Sequence, residues 1–189
     1  MRKTRQALIA LGANLPFAGE PADATLRAAL AALAEGGVPV VAVSRFFATP
    51  CFPAGAGPDY VNAAAVVEAG ENDPAALLAR LHAVEARFGR ERVQRWGMRT
   101  LDLDLLAMGD SVLPDPQAQD DWRALPPEAQ IGTTPDRLIL PHPRLQDRAF
   151  VLVPLADVAP VWVHPRLGLT VRQMLEALPE ADRDPVKPL

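Results

Sequence analysis

The sequence predicts an α+β fold of the ferredoxin-like, split-βαβ kind, a mainly antiparallel sheet with helices on both faces in α/β/α layers. Three observations predict it. The elements come in the order strand, helix, strand, strand, helix, strand. Two segments place apolar residues at three- and four-residue steps, whereas the runs around them are short and rich in branched residues. With 189 residues, 49% hydrophobic and 22% charged, the chain can bury one substantial core. A single domain over 1–189 is therefore expected.

Residues 7–11 form an unbroken apolar run that stops at Gly12, as a buried strand before a tight loop would. Asp23 is expected to cap a helix whose buried stripe is Leu26, Ala29, Leu30 and Leu33, ended by Gly36 and Gly37. Residues 38–47 and 60–68 read as two strands separated by a loop rich in proline and glycine. Asp73 and Pro74 open a second helix with stripe Leu77, Leu78, Leu81, Val84 and Phe88, which Gly89 ends. The stretch 90–99 is too polar for a core, and residues 101–106 alternate as a fourth strand.

Residues 110–136 carry five prolines and read as a long insertion, about 112–135 beyond the fourth strand, with one short helix and no assigned chemistry. Residues 138–140 suit a short edge strand. A helix is expected to begin at Asp147 or Arg148 and run through Leu155, and Thr170 to cap a last helix through Leu178. Residues after Pro179 are expected to be loose.

Formal charge is −4, from 19 basic against 23 acidic residues, which argues against a surface that coats nucleic acid and leaves room for a local anion site. Seventeen of the basic residues are arginines, and six lie from Arg80 to Arg99. A solvated helix face explains arginine content in general; a phosphate grip would explain this concentration, because guanidinium forks match phosphate oxygens in pairs. The lone Cys51 permits no intrachain disulfide and fits a reducing compartment. The first apolar run is too short for a signal peptide or a membrane span, so the cytoplasm is expected, with no membrane partner.

Asp102 and Asp104 are two apart on a strand, so their carboxylates share one face while Leu101, Leu103 and Leu105 share the other. Their Cα atoms would lie about 6.6 Å apart, within reach of two hard cations separated by about 3.5–4 Å. Aspartate is also depleted in strands and like charges on one face repel, which weakens the ordinary explanation of a wet strand face. The arginines just before this pair add what a polyphosphate needs, several positive charges around phosphorus. A phosphoryl-type transfer is the chemistry expected. No Walker loop or dinucleotide fingerprint is present, since neither Gly55 to Gly57 nor Gly12 to Asn14 continues as those motifs require.

The run RWGMRTLDLDLL from Arg95 to Leu106 resembles the signature of the 6-hydroxymethyl-7,8-dihydropterin pyrophosphokinase family. LGAN from Leu11 to Asn14 is similar to its first-strand motif. Thr49-Pro50 with PDYVN from Pro58 to Asn62 resembles its pterin loop, and Pro141-His142 through RAF at Arg148 to Phe150 its late nucleotide segment. The resemblance covers about residues 7–165. It implies transfer of pyrophosphate from MgATP, the co-substrate, to the pterin hydroxymethyl group, with AMP leaving. It further implies two Mg²⁺ ions on Asp102 and Asp104, and catalytic arginines at Arg90 and Arg99. Glu85, Arg92, Trp96, Leu105, Arg137, His142 and Arg148 match nucleotide-side positions. Tyr60 and Phe150 match a pair that sandwiches the pterin, Asn62 its edge partner, and Thr49 and Pro50 its pocket wall. The partners implied are these small molecules, with no nucleic acid, and a monomer is expected.

The sequence departs from the family pattern in places. Met98 stands where proline is usual, His82 replaces a commoner glutamine, the spacing from Gly89 to Trp96 is one residue shorter than in some relatives, and the insertion has no counterpart in short members. His82 and His164 are read as structural, Trp122 and Trp162 as packing residues. Two other readings compete with this one. An RNA-binding sheet would want aromatics where Asp102 and Asp104 stand. A metal-dependent nuclease would use the aspartates and arginines but leaves Thr49, Tyr60, Asn62 and Phe150 unexplained.

Overall fold

The computed structural model describes residues 5–51, 57–89, 99–126, 129 and 132–189. β1 (Arg5–Ala13), α1 (Ala22–Glu35), β2 (Val40–Val43), β3 (Phe47–Thr49), β4 (Tyr60–Gly70), α2 (Pro74–Arg87) and β5 (Asp102–Met108) follow in the expected order. After them come α3 (Pro116–Ala124), a 3-10 turn (Leu145–Asp147), α4 (Ala149–Val158), α5 (Val171–Ala177), α6 (Glu180–Arg183) and β6 (Lys187–Pro188). The strands lie in the order β5-β1-β4-β3-β6, with β2 also on β4, and each described pairing is antiparallel. That is the split-βαβ arrangement, with β1 and β4 in the middle.

Alternation along the strands divides the core into two layers. Ala7, Ile9 and Leu11 of β1 pack with Leu26 and Leu33 of α1 and Leu77 and Leu81 of α2. Leu8, Ala64 and Val66 point the other way, against Val151, Leu152 and Leu155 of α4 and Val171 and Met174 of α5. Because both faces of β4 are covered, residues 62–67 are buried without interruption, which is why 63–67 is an unbroken apolar run. Each fully buried leucine contributes about 1.5–3 kcal/mol, so the two layers, rather than surface ion pairs, hold the sheet.

The helix ends follow their chemistry. Asp73 accepts from Ala76 N at 2.7 Å ahead of Pro74, and Thr170 forms a reciprocal capping box with Gln173. Gly89 takes φ +76° just past α2, and the Thr100 hydroxyl donates to Phe88 O at 2.7 Å, closing the helix against the start of the next strand.

Several expectations are corrected. Pro21, not Asp23, precedes α1; Asp23 falls in the first turn, where its charge suits the helix N-terminus and faces Arg27 at 4.0 Å. The single strand expected over 38–47 is broken in two. At the break Ser44 keeps contact with β4, its N–H donating to Ala64 O and its hydroxyl accepting from Ala64 N, both at 2.9 Å. Residues 138–140 form no strand but one isolated bridge, Leu113 to Leu140. The residues after Pro179 are not loose: α6 and β6 follow, β6 pairs with Phe47 and Ala48, and Val186 packs on Phe47. The alternation of β5 also fails beyond Leu105. A register shift against β1 places Leu106 and Ala107 both on the α4 side, a bulge that sequence periodicity could not show. No helix among the described residues is long and apolar enough to cross a membrane.

Candidate active site

The strand register brings the expected residues into one row. Gly12 of β1 is opposite Asp102 of β5 on one side and Asn62 of β4 on the other, and Phe47 of β3 is opposite Asn62. Asp104 lies in the next row, opposite Ala10, which pairs with Ala64. Asp102 and Asp104 are half-buried and share a face, while Leu103 and Leu105 are buried on the other, as alternation predicts. Asp102 and Asn62 are two strand spacings apart, about 10 Å, with only small residues between them. A Cβ on Gly12 would come within 3.0 Å of Asn62 Oδ1, so glycine keeps this floor open.

The two ends of the row are differently furnished. On the β4 side, Asn62 donates through Nδ2 to the Thr49 hydroxyl, and both side chains are buried. Tyr60 is half-buried; burial raises its pKa, the Arg99 charge opposes that shift, and Cys51 and Asp102 add to it. Tyr60 therefore stands within the electrostatic reach of Arg99 and Asp102. Pro50 is exposed.

On the β5 side, Arg99 is paired with Asp102. Both side chains keep roughly a quarter of their surface in solvent, so water reaches the pair and the Arg99 charge stands at the edge of the site. Arg148, the residue before α4, lies within electrostatic reach of the same carboxylates: burial pulls its pKa down, Asp104 and then Asp102 oppose that, and Arg144 adds to the lowering. Its guanidinium lies 5.7 Å from the ring of Phe150, which is 41% exposed in the first turn of α4. His142 donates its backbone N–H to Leu106 O at 2.8 Å, at the β5 bulge, and its Nδ1 accepts from Arg144 N at 3.1 Å. Desolvation, aided by the Arg148 charge, pushes its pKa down to about 3. The ring is thus neutral at pH 7 with its proton on Nε2, a hydrogen-bond donor in the vicinity of Arg148 and Asp102.

Glu85, Leu105 and Arg137, also expected on the nucleotide side, take three different settings. Glu85 is 1% exposed, and its Oε1 accepts from Leu103 N at 2.7 Å, holding the outer edge of β5. Leu105 turns its side chain into the core between sheet and α1/α2, leaving its backbone for any ligand. Arg137 is largely exposed and lies 3.5 Å from Asp136. Arg90, Arg92, Trp96 and Met98 lie outside the described residues.

Asn14, which the sequence marks only as the end of LGAN and gives no role, binds the site's borders together. Asn14 is 3% exposed; its Oδ1 accepts from Arg99 N at 2.8 Å, its Nδ2 donates to Pro58 O at 3.2 Å, and its N–H donates to Arg99 O at 3.0 Å. The signal available was an amide side chain directly after a buried strand.

Could the carboxylate pair hold divalent ions? Among the described residues no three of His, Cys, Asp and Glu gather as a cation cage. Two carboxylates on one face are nonetheless the donor set that suits Mg²⁺, which keeps several waters and takes its remaining oxygens from a substrate's phosphates. The residues fit an ion that arrives with a nucleotide.

Comparison with known proteins gives the family of the chain. The family model for 7,8-dihydro-6-hydroxymethylpterin-pyrophosphokinase (HPPK) matches residues 8–160. The 2-amino-4-hydroxy-6-hydroxymethyldihydropteridine pyrophosphokinase of a Synechocystis strain is 39% identical over 171 residues, 90% of this chain and 74% of that protein. The protein of the same name from Haemophilus influenzae is 36% identical over 160 residues, 84% of each chain. Among solved structures, wild-type Plasmodium falciparum HPPK-DHPS superposes with a TM-score of 0.62 over 92% of this chain at 17% identity, a likeness of fold. This chain spans 41% of that one. With a family model across most of its length and relatives above one-third identity, the chain belongs to the 7,8-dihydro-6-hydroxymethylpterin-pyrophosphokinase family.

Proposed function

We propose that the protein transfers pyrophosphate from MgATP to the hydroxymethyl group of 6-hydroxymethyl-7,8-dihydropterin, a step of folate biosynthesis. The hydroxymethyl oxygen bonds to the β-phosphorus and the bond from that phosphorus to the α,β-bridging oxygen breaks. AMP leaves with the bridging oxygen, and the hydroxyl proton is released to solvent. The observation that carries this reading is the row in which Asp102 and Asp104 share one face of β5, with Asn62 and Tyr60 two strands away and Arg99 and Arg148 beside the carboxylates.

Asp102 and Asp104 would hold two Mg²⁺ ions against the triphosphate. Such ions neutralise phosphate charge and lower the pKa of a bound hydroxyl, so no dedicated base is needed. Arg99 would leave Asp102 free for a cation and turn its guanidinium to phosphate oxygens, which match its paired N–H donors. Arg148 and the Nε2–H of His142 supply further donors where charge develops on the leaving AMP. By the family resemblance Arg90 and Arg92 would counter phosphate charge and Trp96 would contact the nucleotide. On the other side, Asn62 meets the hydrogen-bonding edge of the pterin, Tyr60 and Phe150 cover its faces, and Thr49 and Pro50 line its pocket. Glu85 and Leu105 lie beneath the nucleotide, and Arg137 at its periphery.

The test is the leaving group. Incubation with MgATP and 6-hydroxymethyl-7,8-dihydropterin should release AMP in proportion to pterin consumed. Formation of ADP, or no pterin-dependent turnover, would contradict the proposal.

A further inference from the structure

The insertion beyond β5 is not a detached loop. Leu113 and Leu140 exchange two backbone hydrogen bonds, Leu113 N to Leu140 O at 2.8 Å and Leu140 N to Leu113 O at 3.1 Å. Asp115 caps α3, its carboxylate accepting from Ala118 N at 2.9 Å, so the helix has a fixed start. One turn on, Gln119 is fully buried on a helix otherwise poor in buried residues. Its Nε2 donates to Pro141 O at 3.2 Å. A carbonyl can only accept, so the NH₂ end of the amide must face it.

An adjacent face of α3 is gripped independently. The Arg166 guanidinium forks onto Asp120, Nε to Oδ1 at 3.1 Å and Nη2 to Oδ2 at 2.5 Å, and Arg123 donates to the same carboxylate at 2.9 Å. Arg166 is itself held in a turn in which buried His164 Nδ1 accepts from the backbone N–H of Arg166 and Leu167. Helix α3 is thus clamped between the turn at 164–170 and Pro141. The next residue, His142, reaches the bulge of β5 through Leu106 O and sits near Arg148 and Asp102.

We infer that the insertion acts as a strut for the nucleotide side of the site, with Gln119 as a positioning residue that fixes Pro141 and thereby aims His142 toward bound ATP. This rests on the pyrophosphokinase reading above. Gln119 touches no reacting atom; it acts through the main chain of Pro141. A full-length amide buried on an insertion helix, reaching the residue next to a nucleotide-side histidine, is otherwise a polar group placed where an apolar one would pack without cost.

The experiment compares the wild-type chain with Gln119→Leu, which keeps the side-chain bulk and removes the donor. Loss of one such bond should raise KM for MgATP about three- to tenfold. KM for the pterin at saturating MgATP, and kcat with both substrates saturating, should stay within about twofold. A uniform loosening of the fold would move both KM values together and would overturn the inference, as would an unchanged KM for MgATP. Should Gln119→Leu fail to fold, Asp120→Asn weakens the Arg166 grip from the exposed side of α3. It should raise KM for MgATP in the same selective way by a smaller factor, and an unchanged or unselective result there also overturns the inference. If the wild-type chain itself releases no AMP, it is the reaction assignment that fails, and an equilibrium titration with MgATP alone still reads the effect of Gln119→Leu on nucleotide affinity.

Discussion

Across from their cross-strand partners, the small residues Gly12 and Ala10, Asp102 and Asp104 share one strand face. Their replacement by asparagine removes charge without changing volume. Asp102→Asn or Asp104→Asn should lower kcat by about 100-fold or more, the scale of losing one electrostatic contact to the transition state. Thermal stability should change little, because asparagine keeps the volume of aspartate and the Arg99–Asp102 pair still reaches solvent. Steady-state assays with a melting curve on each variant check this; near-normal turnover in magnesium would contradict it. Gly12 is the complementary case. Gly12→Ala places a methyl group about 3.0 Å from Asn62 Oδ1, so the amide must shift. Displacements of this kind cost about 1–3 kcal/mol. The expected outcome is a rise of about tenfold in KM for the pterin with KM for MgATP unchanged.

The strand β5 is where elements rather than residues decide the site. It is the outer strand of the sheet among the described residues, so one of its edges lacks a neighbouring strand. That edge is closed by side elements, with Glu85 of α2 accepting from Leu103 N at 2.7 Å and His142 donating to Leu106 O at 2.8 Å. Glu85→Leu should leave the Leu103 N–H without this acceptor and destabilise the fold by about 1–3 kcal/mol. For a chain of this length that lowers Tm by several degrees, a shift calorimetry would read. A Tm equal to wild type would remove Glu85 from this role.

At the same scale one sees what sequence could tell. The helices with strong caps, α2 after Asp73 and α5 after Thr170, were legible because capping chemistry is local. So was the pairing of faces in residues 101–105, a matter of period two. The β5 bulge, the break at Ser44 and the strand formed by Lys187 and Pro188 were not, because each depends on a partner distant in the chain. The same holds in the site: Asp102 and Asp104 stood out by spacing, whereas Asn14 and Gln119 act through backbone atoms of Pro58, Arg99 and Pro141 that no pattern marks.

For the molecule as a whole, the two-layer core sets a resting stability that acid should erode in a particular window. His142 and His164 have pKa values pushed down from 6.5 to about 3 and about 4, mainly by desolvation. Between those values and 6.5 the unfolded chain binds protons that the folded chain refuses, so stability increases with pH across that range and is lost as pH falls below about 6.5. Asp120 and Asp157, held low chiefly by their hydrogen bonds to Arg166 and Arg45, extend the loss below pH 4. Denaturant midpoints should therefore drop from pH 7 to pH 5; a midpoint equal or higher at pH 5 would contradict this. The neutral His142 also predicts no inflection near pH 6.5 in kcat/KM from that residue.

The most direct measurement is crystallographic. Crystals grown with Mn²⁺, a cation of similar oxygen preference that scatters anomalously, and an ATP analogue carrying a methylene bridge between the α- and β-phosphates should show two anomalous peaks. Both should lie at coordination distance, roughly 2.1 Å for ions of this class, from carboxylate oxygens of Asp102 and Asp104 and should bridge to the triphosphate. Peaks bound elsewhere, or a nucleotide seated away from this strand face, would contradict the account.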